Sequence, residues 1–235
     1  MINKQNDTNS GCDEFFSIQE NYNSYPGEEV IRFVSQYLRR RVGFEEVVDV
    51  LPNAKGSRVI DVGCGSGRNF LFGYEMGLDM YVVEYSSKVV SAVQQRLGQS
   101  IGPSINEHGI ACDIRDLPWN DCFFAHAISD RTLDSMPFEI AQAGVSEIAR
   151  VVAAGGYFYC NLISGDETGC DPNFCGDVVV QKNNEDSMTQ SYFNRTKVKR
   201  LIEPLFEILS CQLHQISDPV AGTRSGRWHI VSRRR

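Results

Sequence analysis

The sequence lacks any apolar run of the roughly 20 residues that a membrane-crossing helix needs. Its first fourteen residues, MINKQNDTNSGCDE, are polar and lack the apolar segment of a secretory signal. Both absences predict a chain that stays in the cytoplasm and has no membrane partner. Positive charge is also scarce: 23 Lys and Arg face 30 Asp and Glu, a net charge of −7. A duplex nucleic-acid binder usually carries a basic face that neutralises phosphates, so this balance disfavours a nucleic-acid partner. No internal repeat and no low-complexity segment is found. The eight cysteines include no Cys-x-x-Cys pair, and Cys170 and Cys175 have no nearby His, so no metal site is expected. Cys112, Cys122 and Cys160 sit in apolar runs, where a thiol packs as a small hydrophobe, as suits a reducing compartment.

What is present is the composition of one globular α/β domain. The chain has 235 residues, 42% of them hydrophobic and 23% charged, enough for a proper core. Residues 1–14 are expected to be disordered. Val30, Phe33, Val34, Tyr37 and Leu38 recur at helical spacing, and residues 15–57 read as a helical cap reaching to about Val50. Strands then alternate with helices over 58–163: Arg58–Val62, Met80–Tyr85, Gly109–Ile114, Cys122–Ser129 and Tyr157–Ile163. Helices follow the first two strands, with Ser86 as a cap, and another spans Phe138–Val152. This order predicts a parallel sheet covered on both faces. Residues 164–195 break the pattern with a hairpin, turning at Asn183–Asp186, that reads as a lid over a ligand. Residues 196–235 supply a last helix and two strands, Phe206–Ile216 and Trp228–Val231.

The most informative stretch is Val59-Ile60-Asp61-Val62-Gly63-Cys64-Gly65-Ser66-Gly67-Arg68-Asn69. An apolar strand runs into three alternate glycines and then a helix, the place where open α/β sheets bind ligands. The dinucleotide fingerprint Gly-x-Gly-x-x-Gly needs glycine at position 68, where Arg68 stands, and no Gly-Lys-Ser/Thr follows for a phosphate loop. Glu84 ends the second strand, where a carboxylate can accept two ribose hydroxyls. Asp113 ends the third.

Asp61 before Gly-x-Gly-x-Gly, followed by Glu84 and Asp113 at successive strand ends, resembles the class I S-adenosylmethionine-dependent methyltransferases. That resemblance implies a Rossmann-like three-layer sandwich with a seven-stranded, mostly parallel sheet and a helical N-terminal cap. It implies S-adenosyl-L-methionine as cofactor and S-adenosyl-L-homocysteine as product. It places Asp61, Gly63, Cys64, Gly65 and Gly67 at the amino-acid end of the cofactor. Glu84 and Tyr85 fall at its ribose, Asp113 and Ile114 at its adenine, and Ser129 beside it.

The segment Ser129-Asp130-Arg131-Thr132-Leu133-Asp134 resembles the family stretch that borders cofactor and substrate, which makes Asp130, Arg131 and Asp134 the candidates for an acceptor pocket. Asp130 and Asp134 are expected to cap turns or meet Arg131. His126 lies mid-strand and reads as a hydrogen-bonded core residue; Asp166 is a further candidate base, and His214 and His229 read as structural. Arg224, Arg227 and Arg233–Arg235 read as a solvated tail, or less simply as a site for a phosphate-bearing acceptor. No Asn-Pro-Pro-Tyr follows strand four, which argues against methylation of adenine or glutamine nitrogen. The expected function is methyl transfer to a small molecule, at oxygen rather than nitrogen. The alternatives are an RNA-modifying methyltransferase, a non-catalytic cofactor-binding partner subunit and, last, an NAD-dependent oxidoreductase. The oligomeric state is left open.

Overall fold

The computed structural model describes residues 25–102, 105–166, 171, 173–182 and 186–235. The disorder expected for residues 1–14, the start of the cap before Tyr25, Cys170 and the turn at 183–185 lie outside the described residues.

Strands β1 (Arg39–Val42) and β2 (Glu46–Asp49) form a small hairpin. The main sheet contains β3 (Arg58–Val62), β4 (Asp79–Glu84), β5 (Gly109–Ala111), β6 (His126–Ser129) and β7 (Tyr157–Ile163). A second hairpin, β8 (Asp177–Lys182) and β9 (Asp186–Ser191), precedes the last two strands of the main sheet, β10 (Phe206–Asp218) and β11 (Thr223–Arg234). The seven strands lie in the order β10-β11-β7-β6-β3-β4-β5. All run parallel except β11, which is antiparallel to both neighbours. Val59 to Val62 are all buried, which explains why β3 reads as an unbroken apolar run rather than an alternating one.

Helices cover both faces. Helix α1 (Glu28–Phe33, continued as a π-helical turn Val34–Leu38), α2 (Arg68–Glu75) and α3 (Ser87–Ile101) cover one face. Phe33, Phe70, Val89 and Val93 pack there with Val59, Met80 and Tyr159. After the short α4 (Ile105–His108), α5 (Phe138–Val151) and α6 (Arg195–Ile202) cover the other face, where Val145, Ile148, Leu201 and Ile202 meet Ile60, Phe158 and Ile230. This is the three-layer sandwich that the sequence predicts. Ser86 caps α3 as expected, its Oγ accepting from Val89 N at 3.3 Å. No helix among the described residues is long and apolar enough to cross a membrane.

Four boundaries differ from expectation. The cap helix stops at Leu38 because Arg39, Arg40 and Arg41 offer nothing apolar to continue its buried stripe. The chain instead turns at Gly43 (φ 65) into β1–β2, and the hairpin is fastened by Arg39. Its guanidinium bonds Asp49 Oδ1 (2.6 Å), Val47 O (3.1 Å) and Met76 O. Strand β6 begins only at His126, since Cys122 takes a left-handed turn (φ 58) and Phe124 makes a lone bridge to Val152. Strand β5 ends at Ala111, two residues before Asp113. The last two strands are longer than expected; β11 pairs with β7 from Arg227 to Arg233, so residues 223–226 run past the C-terminal end of β7.

Strand β3 lies between β4 and β6, and the chain winds outward on both sides of it. The connections leaving β3 and β6 therefore diverge and open a crevice at their C-terminal ends. A separate cavity of about 430 Å³, lined by Tyr74, Asp79 and His108, lies at the opposite end of β4 and plays no part in that crevice.

Candidate active site

The glycine loop adopts a backbone that other residues resist: Gly63, Gly65 and Gly67 all have positive φ (74, 49 and 74°). The first turn is fixed by the amides of Gly63 and Cys64, which donate to Val83 O at 2.8 and 3.3 Å. A Cβ on Gly63 would collide with the Thr132 side chain, and one on Gly67 would lie 2.9 Å from Val93 Cγ1. The glycines thus let the loop tuck between the segment after β6 and helix α3. Cys64 is buried in this loop, and burial pushes its thiol pKa well up, so it is a packing residue and not a nucleophile.

Asp61 is completely buried beneath the loop. Its Oδ1 accepts a long bond from Asn69 Nδ2 (3.4 Å), and its Oδ2 has no partner among the described residues. Burial raises its pKa to about 7, with Asn69 opposing and the charge of Asp130 adding to the shift. A buried carboxylate oxygen without a donor is costly unless a ligand supplies one. Glu84, at the end of β4, is turned onto the loop, with Oε2 accepting from Gly65 N (3.2 Å) and Oε1 from Tyr85 N (2.8 Å). Tyr85 is exposed beside it.

The third acid is placed differently. Asp113 lies in the turn after β5 and is gripped by Arg115, whose N, Nε and Nη2 donate at 2.9, 3.0 and 2.6 Å. Those bonds hold its carboxyl below the usual range. Ile114 packs into the opposite face of the sheet, its Cδ1 against the bare backbone of Gly144. Ser129, at the end of β6, is buried with no partner for Oγ among the described residues.

On the acceptor side, Asp130 and Asp134 do not meet Arg131. Asp130 pairs with Arg68 (Nη2 to Oδ2, 2.7 Å) and accepts from Asn161 Nδ2. Asp134 pairs with Arg227 (2.8 Å) and accepts from Ile163 N (2.7 Å), while its Oδ1 is buried without a partner among the described residues. Arg227 is therefore no part of a solvated tail. Nor is Arg224, which pairs with Asp166 at 2.7 Å, or Arg234, which donates from Nε to Ala149 O at 2.7 Å. Asp166 is held by Arg224 and Gln215, joining the segment after β7 to the β10–β11 arm.

The sequence reading missed Asn161, which joins these pairs. Its Oδ1 accepts from Arg131 N (2.9 Å) and Arg227 Nη1 (3.0 Å). A lone amide near the end of the apolar strand Tyr157–Ile163 was the available signal. Asn69, which holds Asp61, was hidden because it reads as an ordinary first-turn helix residue. Next to Asn161, Tyr159 and His229 share a hydrogen bond (2.9 Å), and Phe33 of the cap stacks on Tyr159 with ring centroids 5.5 Å apart. The cap thus begins at the rim of the acid–arginine cluster. His126 is a core residue: its Nδ1 accepts from Tyr157 N (3.1 Å), and burial pushes its pKa down to about 4.

In the insert after β7, Phe193 is wholly buried and packs on Phe138, while Phe174 and Tyr192 meet each other with centroids 5.4 Å apart. Lys197 of α6 anchors the insert. Its Nζ bonds Asp177 Oδ1 (2.8 Å), Ser191 Oγ (2.8 Å) and Cys175 O (2.9 Å), and lies near the Phe138 and Phe193 rings.

The crevice fits S-adenosylmethionine: a cradle of left-handed glycines stands over an unsatisfied buried carboxylate, with a second carboxylate at the adjacent strand end. Residues 59–156 match the family model described as a methyltransferase domain. No curated protein matches the sequence. Among solved structures, a S-adenosylmethionine-dependent methyltransferase from Methanosarcina mazei is similar (TM-score 0.63, 17% identity, 80% of this chain and 99% of that one). So is the 1,6-didemethyltoxoflavin-N1-methyltransferase of Burkholderia thailandensis with bound 1,6-didemethyltoxoflavin and S-adenosylhomocysteine (0.60, 18%, 77% and 72%). The magnesium protoporphyrin IX methyltransferase of Synechocystis with bound S-adenosylmethionine also shares the fold (0.54, 16%, 78% and 72%). Over residues 59–156 the chain thus matches a methyltransferase domain, on a fold that it shares with S-adenosylmethionine-dependent methyltransferases.

Proposed function

We propose that the protein methylates an oxygen of a small-molecule acceptor held between the 130–134 segment, the N-terminal cap and β11. The observation that carries the reading is the free, buried Oδ2 of Asp61 under the glycine loop. When bound, S-adenosylmethionine supplies a methyl group already activated by the positive charge of its sulfonium. Asp61 would accept the ligand's ammonium, the loop amides would hold its carboxylate end, and Glu84 would take the ribose hydroxyls. Asp113, Tyr85 and Ser129 would complete the expected cofactor set, with Asp113 sharing its oxygens between Arg115 and the nucleoside and Ile114 offering only its backbone, since its side chain packs on Gly144.

The protein's remaining task is to hold the acceptor in line with the methyl group, and orientation of this kind supplies much of the rate. The cap and the 164–195 insert would close the crevice against water. An oxygen acceptor that enters already ionised needs no base. His126 is not a base for this reaction, since its Nδ1 is occupied. The absence of Asn-Pro-Pro-Tyr after β6, where Ser129-Asp130-Arg131-Thr132 stands, argues against an adenine or glutamine nitrogen as the acceptor. The six described cysteines are free thiols, which supports a reducing, cytoplasmic setting.

Calorimetry tests the cofactor half: S-adenosylhomocysteine should bind and NADH should not. A screen of cell metabolites with labelled S-adenosylmethionine tests the rest. Label recovered on nitrogen, or only on RNA, would overturn the acceptor assignment.

A further inference from the structure

Three arginines surround the acceptor side of the crevice, and two of them are neutralised. Arg68 is paired with Asp130 and Arg227 with Asp134. Arg131 is exposed, and its guanidinium has no hydrogen bond or ion pair with any described residue. This is not for want of nearby acids, since Asp130 adjoins it in sequence and Asp134 is three residues away; both are committed to arginines from other elements.

Arg131 also stands in a backbone conformation that disfavours it. Its φ is 60°, in the left-handed region where a non-glycine side chain is strained. Asn161 Oδ1, accepting from Arg131 N at 2.9 Å, pins that conformation, and the same oxygen steadies Arg227. The charge is felt toward β7 and β11. Burial raises the Asp134 carboxyl against Arg227 and, more weakly, Arg131. Burial also lowers His229, aided by His214, Arg227 and Arg131. A strained, buttressed residue thus carries an exposed cation on the segment after β6, and its backbone N shares Asn161 Oδ1 with Arg227.

We infer that Arg131 is a specificity residue for an acceptor bearing an oxyanion, a carboxylate or a phosphate, which it binds by paired N–H donors with Arg227 alongside. A guanidinium matches the two-oxygen edge of either group, and such charge-assisted pairs are among the stronger hydrogen bonds. The inference rests on the methyl-transfer reading above and narrows its acceptor to anionic small molecules. It also accounts for the strain: glycine or asparagine would suit the turn, but neither would bring a cation.

The test uses the full chain loaded with S-adenosylhomocysteine and two probes, inorganic phosphate and benzoate, followed by NMR at the arginine Nε–Hε resonances. Saturable binding of either probe that shifts the Arg131 signal is expected. Phosphate alone indicates a phosphorylated acceptor, and benzoate alone a carboxylic acid. Arg131→Gln should weaken that binding by roughly tenfold to a hundredfold, with S-adenosylhomocysteine affinity unchanged. Arg131→Gly should lose the probe equally while its melting temperature holds or rises by a few degrees, since glycine takes φ 60° without strain. Absence of saturable probe binding, or equal binding by Arg131→Gln, overturns the inference. Failure of the parent protein to bind S-adenosylhomocysteine overturns the methyl-transfer reading instead, so the two failures are separable.

Discussion

The chemistry of the site turns on Asp61. Its pKa stands near 7 in the folded chain against an ordinary 3.8, so between those values the folded state holds a proton that the unfolded state has released. Stability should therefore fall as pH rises from about 4 to about 7, and Asp61→Asn, which cannot ionise, should be the more stable protein at pH 8 in thermal melts. Ligand binding should run the other way. Affinity for S-adenosylhomocysteine should climb as pH passes through about 7 and Asp61 ionises to meet the ammonium, whereas the Asp61→Asn profile should be weak and flat in calorimetry. Glu84→Ala removes a carboxylate that already braces Gly65 N, and cofactor affinity should drop roughly tenfold to a hundredfold. Asp61, the glycines and Glu84 were legible in the sequence because strand ends and glycine spacing are local signals. The pairing of Asp130 with Arg68 and of Asp134 with Arg227 was not, because the partners lie 62 and 93 residues away along the chain. Proximity in sequence offers these acids only local turns or Arg131.

At the scale of elements, β3, β4 and β7 were readable because each is short, apolar and bounded by a glycine or a cap, whereas β6 has neither beside it and its start was not. The cap helix was misjudged because Val42, Val47, Val48 and Val50 continue an apolar count after its buried stripe has ended at Leu38. What turns them into a hairpin is Arg39 reaching across to Asp49 and Met76, a tertiary contact with no sequence period. The β8–β9 hairpin depends in a similar way on Lys197. Removing one partner of a buried ion pair costs about 3–5 kcal/mol. Asp177 keeps some solvent contact, so Lys197→Met should destabilise by about 2–3 kcal/mol. Hydrogen exchange should show faster exchange in β8 and β9 and unchanged protection in β3 and β4. Uniform loss across the sheet would mean that the insert is not separately anchored.

At the scale of the whole molecule, cofactor binding and folding are linked. S-adenosylhomocysteine at about a hundred times its dissociation constant should add about 2.7 kcal/mol to stability. For a chain of this size that corresponds to about 5–10 °C in melting temperature, measured by calorimetric scan, with no shift from NADH. The molecule also divides its labour along the chain. Asp61, the glycine loop, Glu84 and Asp113 all lie within residues 59–156, whereas Asn161, the Lys197-anchored insert and the β10–β11 arm with Arg227 and His229 come afterwards. A chimera joined near Gly156 would therefore keep the proposed methyl-donor pocket, the cap and Arg131 while exchanging the part of the proposed acceptor wall formed by Asn161, the insert and β11, which separates anion recognition from the shape of the far wall.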